Sequence, residues 1–174
     1  MKKGDKVLVI GASGAVGSAA VQIAKRTFGA SVTGVASRAN ADVVLSLGAD
    51  EVVDYAERDA LLQRGAYDVV VDTVGDVTMA RAWPALKPHG RLVLVAGDLS
   101  QLARMPLYAL ASNKKVVGGP YVPVASDMQA LRDMVLRGEF RPLVGRTFAF
   151  EQICAAHEAV DSRHKRGSVV VKLV

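Results

Sequence analysis

The sequence predicts an α/β fold: a doubly wound parallel sheet of about six strands, in the order 3-2-1-4-5-6, with a C-terminal helix and strand extension. Two observations carry this. Short, nearly continuous apolar runs alternate with helical stretches over short connections, as expected of strands covered on both faces. The first run, Val7-Leu8-Val9-Ile10, also passes straight into Gly11-Ala12-Ser13-Gly14-Ala15-Val16-Gly17, with three glycines at three-residue spacing between a strand and a helix. A loop of that kind lets the backbone turn sharply and approach an anion, and the following helix aims unpaired N–H groups at the same point. That is the opening of a Rossmann-type sheet, whose usual strand order is the one given.

The elements follow in order. Lys6 to Gly11 is the first strand, and Ala15 to Phe28 a helix with Val16, Ala20, Ile23 and Ala24 at helical spacing, stopped by Gly29. Ser31 to Ser37 is the second strand, Ala39 to Leu47 a helix ended by Gly48, and Glu51 to Tyr55 the third strand. Arg58 to Arg64 reads as a short helix, Asp68 to Asp72 as the fourth strand, and Val77 to Leu86 as a helix in spite of Pro84. Pro88-His89-Gly90 is a turn into a fifth strand, Arg91 to Val95, and Lys115 to Gly118 is a shorter sixth. The tail supplies a helix from Ser126 to Arg137, an extended piece from Leu143 to Phe150, a helix from Glu151 to Arg163 and a strand from Ser168 to Val174. The unpaired edge of that last strand calls for a partner, either Thr147 to Phe150 or a second copy of the chain.

Composition narrows the function classes. With 174 residues, 51% hydrophobic and 22% charged, the chain has the makeup of an ordinary globular domain. The net charge of +5 is dispersed and aromatics are sparse, which argues against nucleic acid and suits a small anionic ligand. One cysteine, Cys154, allows neither an internal disulfide nor a cysteine-rich zinc site, and a reducing, cytoplasmic setting is expected. Met1-Lys2-Lys3 ahead of an apolar run resembles a secretory leader only superficially. Asp5 is charged, the strongly apolar stretch is four residues long, and three glycines and two serines interrupt residues 7 to 24, so neither export nor membrane insertion is expected.

The glycine loop gains meaning from its distance to the second strand end. Twenty residues beyond Gly17, where an NAD site usually places a carboxylate on the ribose 2′-hydroxyl, stands Ser37-Arg38. A carboxylate would repel a 2′-phosphate, whereas a hydroxyl and a guanidinium bind one, so NADP is expected over NAD. Tyr55, ending the third strand, reaches the same adenosine side. Asp72-Thr73-Val74-Gly75 and Ala96-Gly97 follow the fourth and fifth strands, at the carboxyl edge where the ligand crevice of such sheets lies. Their small residues leave room for a flat ring, and Asp72 is read as structural. His89 falls in a turn and His157 inside a helix, where it is expected to be packed. His164 lies in the basic run Arg163-His164-Lys165-Arg166, which is either a solvated turn or the second half of a phosphate clamp. Two classes are excluded. No tyrosine has lysine four residues later, as short-chain reductases require, and no Gly-Lys-Ser/Thr follows the glycines, as a nucleoside triphosphatase requires.

Val7 through Tyr55, followed in order by YDVVVDTVG, LKPHGRLVLVAG, GEFRPLV and SRHKRGSVVV, resembles the cofactor domain of the medium-chain dehydrogenase/reductases over nearly the whole chain. More closely it resembles their zinc-independent quinone oxidoreductase (zeta-crystallin-like) branch, in which Ala is tolerated where Ala12 stands. The resemblance implies NADPH as cofactor, no metal, and hydride transfer to a quinone or an activated C=C bond. It places Ser37, Arg38, Tyr55 and Arg163 around the 2′-phosphate, Gly14, Ala15 and Val16 on the pyrophosphate, and Val74, Ala96 and Gly97 beside the nicotinamide. Gly11, Ser13, Gly17 and Gly75 complete the expected cofactor-binding set, and no catalytic residue is assigned.

The resemblance also implies dimers through a sheet edge, here Val116-Val117. It divides the chain into an NADP-binding domain, residues 1–142, and an extension, 143–174, that folds against a barrel-like substrate domain. Family members carry that domain ahead of the first strand, where this chain begins. Three readings therefore stand: the NADP(H)-binding domain of an oxidoreductase, weakly active or inactive by itself; a non-catalytic NADP sensor or assembly module; or a bare structural scaffold without nucleotide.

Overall fold

The computed structural model describes residues 1–96, 106, 113–120, 122–162 and 165–173. Six strands form one parallel sheet in the order β3-β2-β1-β4-β5-β6, as the sequence predicts. They are β1 (Lys6–Ile10), β2 (Ser31–Ala36), β3 (Glu51–Asp54), β4 (Tyr67–Asp72), β5 (Leu86–Leu94) and β6 (Lys115–Gly118). β1 is central: Val7 lies opposite Val32 of β2 and Val69 of β4, and Ile10 opposite Val35 and Asp72.

The two-residue alternation of a strand sorts its side chains into two cores, one on each sheet face. Leu8, Val70 and Leu92 pack with Leu61, Met79 and Ala82 on one side. Val7, Val9 and Val32 pack with Val21, Ala24 and Val44 on the other. The second core receives α1 (Ala15–Gln22) and α2 (Ala41–Ser46), and the first receives α3 (Met79–Ala82). Both faces of β1 are therefore sealed, and Val7, Leu8 and Val9 are completely buried.

Several elements differ locally from expectation. The first helix continues beyond α1 as a widened turn, Ile23–Thr27, in which the Phe28 N–H donates to the Ile23 carbonyl at 3.2 Å. The helix expected over Arg58 to Arg64 shrinks to one turn, Ala60–Leu62, capped by the Asp59 carboxylate on the Leu61 N–H. The helix expected over Val77 to Leu86 is shorter. Val77 is held by Asp72 ahead of Thr78, whose hydroxyl caps α3, and Pro84 tightens the chain into the turn Trp83–Ala85. The Pro88-His89-Gly90 turn lies within the span of β5, where the register against β4 shifts and His89 adopts φ 61°.

Beyond the sheet come α4 (Ala125–Leu136), β7 (Val144–Ala149), α5 (Ile153–Asp161) and β8 (Ser168–Lys172). β7 and β8 pair in parallel, with Thr147 opposite Val170 and Phe148 opposite Val171, so the last strand finds its partner in the segment anticipated. Phe148 and Ala156 are the buried centre of this unit. His157, expected to be packed, is instead exposed on α5, at the rim of a small groove it shares with Ala156, Val169 and Val171, and Cys154 is exposed as well. Several bonds fasten this unit and the segment leading into it to the main sheet. The Gln22 side chain donates to the Arg141 carbonyl at 2.9 Å and accepts from its N–H at 3.0 Å. Gly167 pairs with Gly14, its N–H donating to the Ser13 carbonyl at 2.8 Å.

Candidate functional site

The chain order reverses between β1 and β4, and at the carboxyl ends of these strands a groove of about 1020 Å³ opens. Such a volume is at the upper end of the range for small-ligand clefts. The glycine loop after β1 and the segments after β2, β3 and β4 build it, with Val160 and Lys165 of the C-terminal unit at its border.

Steric demands fix the glycine loop. Gly11 has φ 79°, and a Cβ there would lie 2.6 Å from Thr73 Oγ1 and 2.7 Å from Val74 Cγ2. A Cβ on Gly17 would overlap the Gly11 carbonyl, so α1 can start this close to β1 only without a side chain. Thr73 ties the two walls by donating its hydroxyl to the Ile10 carbonyl at 2.7 Å. Gly14, the residue before α1, provides no side-chain cap, and no acidic residue occupies the first turn. The N–H groups of that turn have no intrahelical partner, and the loop carrying them lines the groove. The cradle thus fits a phosphate: glycine where any Cβ would fill the space, and an uncapped helix end without competing carboxylate.

Across the groove, Ser37 follows β2 and Tyr55 follows β3, its side chain largely exposed. Asn40 donates its side-chain amide to Ser13 Oγ at 3.3 Å and to Ser37 Oγ at 3.2 Å, joining the glycine loop to the β2 segment. Lys165 borders the groove, and Arg166 donates Nε to Asn40 Oδ1 at 3.1 Å and a second N–H to the Ala39 carbonyl at 3.1 Å. Asp59 and Arg81 form an ion pair at 2.8 Å on the far wall. Burial alone would raise the Asp59 carboxyl, but Arg81 and the Leu61 N–H outweigh it and hold it below the usual carboxylate range.

The structure brings Gly11, Ser13, Gly14, Ala15, Val16, Ser37, Tyr55 and Val74 together around one groove. Others of the sequence-derived set stand elsewhere. Gly17 is buried behind the loop. Arg38 is directed to Glu57 at 3.2 Å while its backbone N–H donates to Asp54. Gly75, at φ 91°, sits against Ala96, where a Cβ would come within 2.8 Å of the Ala96 carbonyl. Gly97 and Arg163 lie outside the described residues, as does His164. Asp72 is fully buried and accepts from the backbone N–H groups of Val74, Gly75 and Val77, the structural part read for it.

Two residues escaped the sequence reading. Asn40 stands at the start of α2, where asparagine ordinarily caps the helix, yet its side chain makes no cap and turns to the serines. Arg166 belongs to the basic run already singled out, but its partner lies 126 residues away. Among the described residues no group of three or more His, Cys, Asp or Glu is placed to hold a metal ion, and no helix is long and apolar enough to cross a membrane.

Comparison with known proteins places this geometry in a family. A family model described as zinc-binding dehydrogenase matches residues 47–171. The chain belongs to that family. Within it, the chain is the cofactor-binding part of a medium-chain dehydrogenase/reductase similar to quinone oxidoreductases. It is 30% identical to the mitochondrial NAD(P)H oxidoreductase RTN4IP1 of Mus musculus, covering 99% of this chain and 49% of that protein. It is also 30% identical to the acryloyl-coenzyme A reductase of Metallosphaera sedula, covering 98% of this chain and 52% of that one. The quinone oxidoreductase structure from Coxiella burnetii superimposes with a TM-score of 0.86 at 29% identity, over 99% of this chain and 54% of the other. The chain spans about half the length of the curated relatives it matches.

Proposed function

We propose that this chain is the NADP(H)-binding domain of a zinc-independent oxidoreductase that acts on a quinone or an activated C=C bond. The observation that carries the cofactor reading is the uncapped, carboxylate-free start of α1, set behind a glycine cradle at the β1/β4 switch point. The names of the relatives, an NAD(P)H oxidoreductase and an acryloyl-coenzyme A reductase, support the reaction class.

In this reading Gly14, Ala15 and Val16 hold the pyrophosphate through backbone N–H groups, and Gly11 and Ser13 complete that loop. Ser37 and Tyr55 take the adenosine ribose. Arg38 turns from Glu57 to the 2′-phosphate, a small rearrangement because the ion pair is 85% and 65% exposed and such pairs contribute about 0–1 kcal/mol. Val74 and Ala96 form the wall beside the nicotinamide, with Gly75 set against the Ala96 carbonyl. A nicotinamide bound there supplies or accepts a hydride; the chain's own part is to orient the ring and exclude water from one face.

Residues 1–142 make up the binding domain. The extension, 143–174, carries exposed apolar residues such as Val144, Phe150 and Val160 that suit packing on a substrate domain. Among the described residues β6 ends the sheet, and its half-exposed Val117 suits sheet-edge pairing into a dimer. The setting proposed is the cytoplasm.

Titrating the chain with NADPH and NADH, followed by quinone and enone turnover assays, tests the reading. NADPH binding with feeble turnover is the expected pattern. Absence of binding by either nucleotide at millimolar concentration removes the cofactor reading, and vigorous turnover by the chain alone removes the assignment of substrate handling to another domain.

A further inference from the structure

The side-chain amide of Asn40 lies among three partners. Arg166 Nε can only donate, so the atom that faces it at 3.1 Å is the amide oxygen. The NH2 group is thereby turned toward the serines, 3.3 Å from Ser13 Oγ and 3.2 Å from Ser37 Oγ. Each hydroxyl has one proton and can accept as well as donate. Both accept from Asn40, and among the described residues neither donates to the protein. Their two protons remain available, and Ser13 and Ser37 both border the groove.

We infer that Asn40, oriented by Arg166, is a positioning residue that makes Ser13 and Ser37 a pair of proton donors converging on the ribose phosphate of the cofactor. The inference rests on the cofactor reading above and adds the basis of its phosphate preference. A hydroxyl proton bonds an ionised phosphate oxygen about twice as strongly as a neutral ribose hydroxyl, so the two serine protons left free by Asn40 favour the phosphorylated ribose. Arg166 is set in place by the chain itself. Gly167 next to it pairs with Gly14, donates its N–H to the Ser13 carbonyl, and adopts φ 59°, with no room for a Cβ beside the Leu143 carbonyl. The second N–H of Arg166 on the Ala39 carbonyl holds the guanidinium over the Asn40 backbone. The C-terminal unit therefore reaches the nucleotide groove through one amide orientation.

The test compares NADPH with NADH, and 2′-AMP with 5′-AMP, by calorimetric titration of the chain and its variants. Asn40→Leu keeps the side-chain size and introduces no charge. It is expected to weaken NADPH and 2′-AMP by about 3- to 10-fold, the range of one to two lost hydrogen bonds, and to leave NADH and 5′-AMP within 2-fold. Arg166→Ala, which frees the amide to flip, should give a smaller change in the same direction. In the Ser13→Ala/Ser37→Ala background, Asn40→Leu should have no further effect on the NADPH to NADH ratio, because its action passes through the hydroxyls. Equal losses for both nucleotides, or an undiminished effect of Asn40→Leu without the hydroxyls, overturns the inference. Preference for NADPH in the parent chain that survives every one of these substitutions overturns it too, while leaving the cofactor reading intact. No binding by the parent chain defeats that reading first. Melting temperatures of the variants separate these outcomes from loss of the fold.

Discussion

Replacing Asp72 by Ala should destabilise the domain by about 3 kcal/mol and open one wall of the groove. The carboxylate is completely buried and accepts three backbone N–H bonds, from Val74 at 3.0 Å, Gly75 at 3.1 Å and Val77 at 3.3 Å. A hydrogen bond to a charged group contributes about 1.5–3 kcal/mol, and a buried donor left without a partner costs about 1–3 kcal/mol. Water can replace the carboxylate at Val74, which is exposed, and partly at Gly75, but not at the buried Val77. Most of the loss therefore comes from one orphaned N–H and from the surrendered charge-assisted bonds. Asp72→Asn keeps an acceptor for Val74 and Gly75 while turning an NH2 toward Val77, so roughly half the loss is expected. Urea unfolding followed by the fluorescence of Trp83 reads this directly. With m near 1–3 kcal/mol/M, the Ala variant should unfold about 1–3 M earlier. An Asp72→Ala protein within about 0.5 kcal/mol of the parent would refute the structural reading. So would an Asp72→Asn protein of full stability that no longer binds either nucleotide, since that pattern belongs to a group acting on the ligand.

Other consequences can be checked separately. Arg38→Ala should weaken NADPH about 10-fold or more while sparing NADH and stability, because the proposed contact to the phosphate would be charge-assisted and the present pair with Glu57 is exposed. Glu57→Ala, which releases Arg38, should instead tighten NADPH, and a titration of both variants decides. Gly17→Ala should unfold or strongly destabilise the domain, by about 3 kcal/mol or more in a thermal melt. Its Cβ would overlap the Gly11 backbone, and that backbone can move only by breaking the loop.

Acid should act partly through Asp50 and Asp68. Burial tends to raise each carboxyl, but Lys25 and the Val32 N–H at Asp50, and Lys87 and the Lys6 N–H at Asp68, hold both below the ordinary value. A carboxyl lower in the folded state stabilises above its unfolded pKa and loses that contribution as pH falls through the folded value. Stability should therefore decline below about pH 4, and Asp50→Asn should flatten that decline; equal pH dependence in parent and variant would remove Asp50 from the account.

The fold was legible because its signals are local. Each strand of the main sheet is an apolar run, and the glycine loop announces the first crossover within seven residues. What local reading missed depends on distant partners or on one side chain overriding a pattern. The helix expected from Val77 starts later because Asp72 captures the Val77 N–H, a bond invisible in the spacing of apolar residues. Arg38 was legible as a cation at the end of β2, but its direction is set by Glu57, which a third strand brings alongside. Asn40 falls inside the helix expected over Ala39 to Leu47, and only the approach of Arg166 from the far end of the chain shows where its side chain turns. His157 illustrates the reverse error: helical position alone does not say which face is buried, and on α5 that face belongs to Ala156.

The account stands most directly on nucleotide selectivity. Calorimetric titration of the chain with NADPH and NADH at low salt, where charge contacts are least screened, should give saturable binding of NADPH at least about 10-fold tighter than NADH, as one charge-assisted phosphate contact requires. Tighter binding of NADH, or no saturation by either nucleotide up to millimolar concentration, would contradict it.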